Sequence, residues 1–187
     1  FDYLVENKNR VAGIFLSHGH ADAIGALPYL LEKVKVPVFG SHLTIELAKL
    51  VVKNYAATKK FNDFHVINAK SQIDFGSSVI SFFKTTHSIP ESLGIVVKTD
   101  EGNIVYTGDF KFDQAAAAYY RTDFARLAEI GREGVLALLS DSANADSHVQ
   151  VASMHEEREE ILNTIEDGEG RVIVAAVASN IIRIQQI

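Results

Sequence analysis

The chain has 187 residues, 47% hydrophobic and 22% charged, which is ordinary for a globular domain with a real core. It contains no Cys, so disulfide bonds and thiolate zinc sites are excluded. Its 18 Lys and Arg against 24 Asp and Glu give a net charge of −6, so any nucleic-acid contact must be local. No signal-peptide pattern or long apolar run is present, and we therefore expect a cytoplasmic location without membrane association.

The first predicted elements are the end of an amphipathic helix, a short strand and a second helix. Residues 1–10 place apolar and charged side chains on opposite sides of a helix. Residues 11–16 form an apolar run typical of a buried strand, and residues 24–34 begin a helix. The polar residues between these elements therefore lie at the C-terminal end of a strand, where open α/β sheets usually place their chemistry.

His18, His20 and Asp22 form a cluster of metal-type ligands in this loop. Two imidazoles spaced by one residue, with a carboxylate two positions later, offer nitrogen and oxygen donors that suit zinc or manganese. Gly19 and Gly25 allow the backbone to fold tightly around an ion. The sequence therefore predicts a metal site here.

Strand and helix continue to alternate after this loop. Residues 37–39 read as a strand, and Ser41 is the predicted N-cap of the next helix, an order that indicates parallel α/β layering. The polar stretch 54–63 contains Lys59 and Lys60. A solvated loop is its favoured interpretation, and a patch facing nucleic acid is the alternative.

The next three segments alternate with period 2 and predict an antiparallel meander over residues 64–68, 72–75 and 79–85. The last of them leads into a polar loop that contains His87. A lone His in a loop is more often simply exposed to solvent. His87, however, comes after the first ligand cluster and, like that cluster, lies at the end of a predicted strand.

A hairpin is predicted from residues 93–99 and 104–107. Its second strand is followed directly by Gly108 and then by Asp109. By itself, an Asp in this setting is more often a turn residue.

The remainder of the chain is predicted to contain three helices and two strands. Four consecutive alanines, Ala115 to Ala118, are compatible with a helical segment and are assigned no function. The helices are expected at 122–131, capped by Thr122 and closed by Gly131, at 156–165, and from 178 onward. Buried strands are expected at 135–139 and 171–176.

Asp141 follows the apolar strand 135–139 and has two open interpretations. It is either a polar helix cap or an acidic residue that supports a metal site from outside the ligand shell. The other histidines are expected to be unremarkable: His42, His65, His148 and His155.

Taken together, these motifs resemble those of metallo-β-lactamase-fold hydrolases, and residues 13–49 are similar to bacterial ribonuclease J of the β-CASP group. The resemblance rests on five stretches in family order: residues 14–25, 85–92, 106–113, 140–144 and 178–187. It implies an α/β fold, the αββα sandwich, over residues 1–177, incomplete at its N-terminus. It also implies the start of a β-CASP domain at 178–187, so the chain is expected to be a fragment.

The resemblance also implies a two-ion site. Its expected residues are His18, His20 and His87 for the first ion, Asp22 for the second, Asp109 as a bridge, and Asp141 as outer support, with catalytic roles for Asp22 and Asp109. Ala23 stands where the family pattern has a fourth ligand, a His. This loss points to the second ribonuclease J paralogue, whose site is degenerate, and leaves the second ion with too few ligands.

The function implied is a metal-dependent ribonuclease that degrades RNA 5′ to 3′ and also cuts internally, in RNA maturation and decay that includes rRNA processing. Its activity is expected to be weak because of Ala23. The alternative is a non-catalytic scaffold that supports an active ribonuclease J paralogue, and homo-oligomers are also expected. A thioesterase or lactamase of the same fold is a third option, against which the Asp141 motif and residues 179–180 argue.

Overall fold

Two β-sheets form the framework of the protein, which a computed structural model describes over residues 1–148 and 152–187. In this part of the chain the first sheet contains three parallel strands: β1 (Ile14–Phe15), β2 (Val38–Gly40) and β3 (Phe64–Val66). The second sheet contains five strands: β4 (Gln72–Asp74), β5 (Val79–Lys84), β6 (Leu93–Thr99), β7 (Gly102–Tyr106) and β8 (Val135–Leu139).

Helices connect the strands and cover the sheets. Over the same described ranges they are α1 (Asp2–Glu6), α2 (Ala21–Ile24), α3 (Leu27–Lys33), α4 (His42–Lys53), α5 (Phe124–Glu133), α6 (Met154–Glu166) and α7 (Ile181–Gln186), with a 3₁₀ turn at Lys8–Arg10. None of these helices is long and apolar enough to span a bilayer.

The strand directions bring three strand ends to one edge of the second sheet. β5 and β7 are both antiparallel to β6, and β8 is parallel to β7. The C-terminal ends of β5, β7 and β8 therefore lie at the same edge, and the loops that follow these strands are neighbours.

The core has the layers of an αββα sandwich, as expected. Helices α3 and α4 pack on the first sheet through Leu31, Ile45 and Val52, which are fully buried. Between the sheets, the rings of Phe15 and Phe39 stack with centroids 4.8 Å apart, in a cluster with β5 and β6. Helix α5 covers the other face of the second sheet.

Three predicted elements near the N-terminal half are placed differently. The strand predicted at 11–16 is only Ile14–Phe15. The helix predicted from residue 24 is interrupted, because α2 ends at Ile24 and α3 begins at Leu27 with a Pro in its first turn, where the missing N–H is tolerated. Segment 64–68 is not part of the meander, since β3 pairs in parallel with β2.

Helix α5 is capped by residues other than those predicted. The Asp123 carboxylate accepts a hydrogen bond from the Arg126 N–H at 3.0 Å, and the helix ends before Gly134, whose φ is 97°. Thr122 instead accepts a hydrogen bond through its hydroxyl from the Thr86 N–H at 3.0 Å. The predictions of Thr122 as cap and Gly131 as terminator were therefore wrong.

The apolar segments after residue 134 are exposed, contrary to prediction. All five residues of β8 are exposed because β8 is the edge strand and no layer covers it. Residues 171–177 do not form a strand among the described residues, and Ile173 is 86% exposed. Apolar composition indicated burial here, but burial needs a neighbouring layer.

Gly94 in β6 is a packing constraint that can be tested. It lies opposite Phe83 of β5, and a Cβ atom at position 94 would overlap the Phe83 ring. We expect Gly94→Ala to lower the free energy of unfolding by about 1–3 kcal/mol or more, as overpacked core substitutions do. Urea denaturation measures this change.

The matched control is Gly131→Ala within α5, where no heavy atom lies within 4 Å of the new Cβ. This variant should gain about 0.5–1 kcal/mol, since Ala is the better helix former. Equal effects at the two positions would contradict the packing described for Phe83.

Candidate metal centre

Three strand ends deliver the predicted ligands to one place. His18 and His20 follow β1 of the first sheet, while His87 and Asp109 follow β5 and β7 of the second. The two sheets are joined here because the Leu93 N–H donates to the Ser17 carbonyl at 2.8 Å. The loops after β5 and β7 are also joined, through the Lys111 N–H and the Thr86 carbonyl at 2.8 Å.

The three imidazoles form a compact triangle. The ring centroids of His18, His20 and His87 lie 4.8–5.0 Å apart, with the rings steeply inclined to one another. The Nε2 of His87 is 3.0 Å from the Nδ1 of His20. One nitrogen from each ring lies within 4.8 Å of the others, a spacing that could hold one metal ion.

Two carboxylates lie beside this triangle. An Asp109 oxygen is 3.7 Å from the Nε2 of His18 and 3.7 Å from the Nε2 of His87. An Asp22 oxygen is 3.8 Å from the Nε2 of His18. His18, Asp22 and Asp109 therefore form a second set of donors within 4.8 Å of one another, so the structure brings together all five residues predicted as ligands.

His18 is the most buried member of the cluster, with 1% of its surface exposed. Its Nδ1 is hydrogen-bonded to the Ser17 hydroxyl at 3.0 Å, but its Nε2 is buried with no hydrogen-bond partner among the described residues. A buried polar atom without a partner is costly. A divalent cation would satisfy this nitrogen, so the donor set fits a metal ion.

The protonation state of the imidazoles also fits a cation. Burial lowers the pKa of His87 to about 4, and the neighbouring His18 and His20 act in the same direction. Burial likewise lowers the pKa of His18, against the opposing effect of Asp109. Both rings are therefore neutral near pH 7, and a neutral imidazole is the form that binds a metal ion.

Gly108 allows the loop after β7 to approach the loop after β1. Its φ is +61°, and a Cβ atom at this position would lie 2.9 Å from the Cβ of Ser17. A larger residue would therefore separate Asp109 from His18. In the sequence, this close approach was indicated by the Gly immediately before Asp109. Interpreting that Gly only as part of a turn did not connect it with the metal cluster.

The Asp141 carboxylate organises its own loop. It accepts a hydrogen bond from the Ala143 N–H at 2.8 Å, while its own N–H donates to the Thr107 hydroxyl at 3.0 Å. Its negative charge acts to raise the pKa of His87, a minor influence beside burial. No helix begins among residues 141–148, so the helix-cap interpretation of Asp141 was wrong, and its support of a metal remains a prediction.

Ala23 lies in α2, directly after Asp22, and its methyl group packs against the apolar cluster formed by α3, α4 and Leu16. It provides no donor to the site. The four other histidines do not belong to either donor set found among the described residues: His42, His65, His148 and His155. His65 is paired instead with Asp63 at 2.7 Å.

Asp113 is a buried carboxylate near the site that sequence reasoning missed. It accepts hydrogen bonds from the N–H groups of Ala115 at 3.0 Å, Ala116 at 3.1 Å and Met154 at 2.7 Å. These bonds hold Ala115 to Ala118 in turns and tie the chain after Asp109 to the start of α6. An Asp before small residues is a turn signal that could have indicated part of this role.

A cleft of about 280 Å³ adjoins the cluster. The residues that line it include two predicted ligands, His87 and Asp109, together with Lys111, Glu157 and Arg183. Glu157 lies between the two cations, 3.0 Å from Arg183 and 4.0 Å from Lys111. The predicted metal ligands therefore open onto a cleft that also presents positive charge.

Known proteins match this chain along most of its length. The family described as "Beta-lactamase superfamily domain" matches residues 3–171. Ribonuclease J 2 of Streptococcus pyogenes serotype M3 is 68% identical over 186 residues, which cover 100% of this chain and 34% of that protein. Ribonuclease J2 of Bacillus subtilis strain 168 is 48% identical over 185 residues, 99% of this chain and 33% of that protein.

The chain thus spans about a third of the length of these curated relatives, and its resemblance to ribonuclease J is confirmed. A crystal structure of a protein of unknown function from Enterococcus faecalis V583 has the same fold, with a TM-score of 0.68 and 16% identity. That match covers 93% of this chain and 43% of the other. The chain belongs to the beta-lactamase superfamily and has the metallo-β-lactamase fold.

Proposed function

We propose that this chain carries the metal centre of a ribonuclease of the ribonuclease J type, which hydrolyses RNA phosphodiester bonds 5′ to 3′ and internally. The observation that carries this proposal is the convergence of His18, His20, His87 and Asp109 around a buried imidazole nitrogen that has no hydrogen-bond partner in the described part of the chain. Relatives named ribonuclease J 2 support RNA as the substrate. rRNA processing in the cytoplasm, and the start of a β-CASP domain near residue 178, belong to the same proposal.

In this proposal, His18, His20 and His87 hold a first ion, zinc or manganese, and Asp109 reaches from it toward a second beside Asp22. When bound, such ions polarise a phosphoryl oxygen and make hydroxide available from water near neutral pH. Burial lowers the pKa values of His18 and His87 and so favours the neutral rings, which bind an ion without first losing a proton.

Residues along the adjoining cleft bind the substrate. Lys111 and Arg183 line this cleft together with the predicted ligands and supply positive charge for backbone phosphates. Glu157 orients Arg183 through a 3.0 Å ion pair. A phosphodiester in the cleft is therefore held between these cations and the metal ligands.

Ala23 weakens the second half of this centre. With His18 assigned to the first ion, Asp22 and Asp109 are the donors that remain among the described residues for a second ion, which is expected to need about four ligands. We therefore propose weak hydrolysis. A second candidate function is a non-catalytic scaffold that supports an active ribonuclease J paralogue or assembles as a homo-oligomer. The absence of a metal-binding atom at Ala23 favours this second function.

Metal content and hydrolysis test the proposal together. We expect about one zinc or manganese ion per chain by elemental analysis, and slow cleavage of 5′-labelled RNA that requires this ion. His18→Ala should abolish both, because it removes the buried nitrogen. A chain without bound metal would contradict the metal centre, and turnover equal to that of a ribonuclease J with the intact motif would contradict the weakened site.

Restoring the missing imidazole by Ala23→His separates the two candidate functions. If the rest of the site is competent, a second ion should bind and hydrolysis should rise about 10–100-fold, the scale on which ligand-shell changes act. The control is Ala26→His, which adds an imidazole at an exposed position three residues later. An unchanged rate in Ala23→His would favour the scaffold.

The metal-free protein should lose stability in mild acid. The pKa of His87 is about 4 in the folded state against 6.5 without the fold, so between these values the unfolded chain binds a proton that the folded chain does not. Protonation therefore favours unfolding, and stability that is complete above about pH 6.5 falls as the pH drops toward 4. Urea denaturation with a chelator measures this slope.

The slope should be smaller in His87→Gln and unchanged in His155→Gln, whose histidine is exposed. Equal unfolding free energies near pH 7 and near pH 5 in the wild-type protein would show that the cluster does not hold its imidazoles neutral.

A further inference from the structure

A second cleft lies close to the loop that contains His87. Its volume is about 1040 Å³, and it is formed by the start of α4, the end of β3 and the start of α5. We call it the basic groove and define it by six residues that line it: Lys70, Lys84, Arg126, Tyr119, Glu91 and Asp123.

Three cations line the basic groove, although the whole chain has a net charge of −6. Lys70 and Lys84 have no ion-pair partner among the described residues. The Arg126 guanidinium forms ion pairs with Glu129 at 3.1 Å and with Glu133 at 3.5 Å. Two ammonium groups are therefore available to a polyanion.

Both carboxylates of the groove accept hydrogen bonds from N–H groups in the first turn of a helix. Glu91 accepts a hydrogen bond from the Leu43 N–H of α4 at 2.8 Å, and Asp123 accepts one from the Arg126 N–H of α5 at 3.0 Å. The partial positive charge of a helix N-terminus offsets a carboxylate in this position. The free ammonium groups therefore decide the charge that the groove presents.

An exposed aromatic ring stands beside these charges. Tyr119 is 65% exposed, and its ring lies against Tyr120 with centroids 4.0 Å apart. The Tyr120 carbonyl accepts a hydrogen bond from the Thr86 hydroxyl at 2.9 Å, which anchors this pair beside the residue that precedes His87. Cations that follow a phosphate backbone, combined with a ring on which bases stack, are the elements of single-strand recognition.

The basic groove adjoins the metal centre. A pocket of about 20 Å³ lies between them, contains His87, and shares Lys84, Tyr119 and Tyr120 with the groove. We infer that the basic groove binds single-stranded RNA, so that nucleotides flanking the scissile phosphate stack on Tyr119 while their phosphates contact Lys70 and Lys84. This inference rests on the proposed function and names the form of RNA that the site accepts.

The test is the affinity of this chain for a fluorescein-labelled, unstructured oligoadenylate, measured by fluorescence anisotropy in the presence of a chelator. The double variant Lys70→Gln, Lys84→Gln should bind at least about tenfold more weakly. The slope of log affinity against log salt concentration should also become shallower by about 1.4, because each phosphate contact on a single strand contributes about 0.7 to that slope. Tyr119→Ala should bind at least about fivefold more weakly through lost stacking.

Matched controls lie elsewhere on the surface. Lys59 and Lys60 are exposed lysines outside the groove, and Tyr3 is 69% exposed on α1. Lys59→Gln with Lys60→Gln, and Tyr3→Ala, should leave the affinity unchanged. Equal losses in the controls, equal binding of duplex RNA, or absence of RNA binding by the wild-type chain would overturn the inference.

Failure of the proposed function gives a different result. Binding is measured without metal, whereas hydrolysis of bis(p-nitrophenyl) phosphate, which is too small to occupy the groove, reports on the metal centre alone. Hydrolysis lost in His18→Ala, combined with unaltered RNA affinity in the groove variants, would overturn the groove and leave the proposed function standing. Groove-dependent binding without any hydrolysis would contradict the proposed function and support the groove.

Discussion

The buried imidazole of His18 is the constraint on which the site depends. Its Nδ1 is hydrogen-bonded to Ser17, and its Nε2 is enclosed with no hydrogen-bond partner from residues 1–148 or 152–187. Leaving a polar atom in this state costs free energy unless a cation occupies the space that it faces. The loops after β1, β5 and β7 all pack so that their donors surround this nitrogen, and Gly108 is small enough to permit that approach. Burial thus opposes the stability of the metal-free chain and prepares it to bind a metal ion.

The two halves of the centre differ in how completely they are built. Three imidazoles and the Asp109 carboxylate surround the first position, whereas the second has Asp22, which is largely exposed, and Asp109. Ala23 packs against the apolar cluster beneath α2, so its methyl group contributes to packing in place of metal binding. A change of this kind removes chemistry while leaving the scaffold intact.

Much of this site could be predicted from residue spacing, because ligands that follow strands are brought together by the sheet. His18, His20, Asp22, His87 and Asp109 follow this rule, and the β6–β7 hairpin was also correct. Period-2 patterns specify a strand but not its partner, so the parallel pairing of β3 was not predictable. The full role of Asp113 was missed because one of its three backbone donors, the Met154 N–H, is 41 residues away in the sequence, although the other two belong to a local turn. The basic groove was missed because Lys70, Lys84 and Tyr119 are far apart in sequence.

The most direct test of the account is anomalous X-ray diffraction from crystals of this chain grown with zinc, with data collected on both sides of the zinc absorption edge. If the imidazole cluster is a zinc site, an anomalous peak should lie about 2.0–2.1 Å from the Nε2 of His18, the usual zinc–imidazole distance, with His20 and His87 as further ligands. Crystals in which zinc binds only elsewhere, and in which this nitrogen is hydrogen-bonded to water, would contradict it.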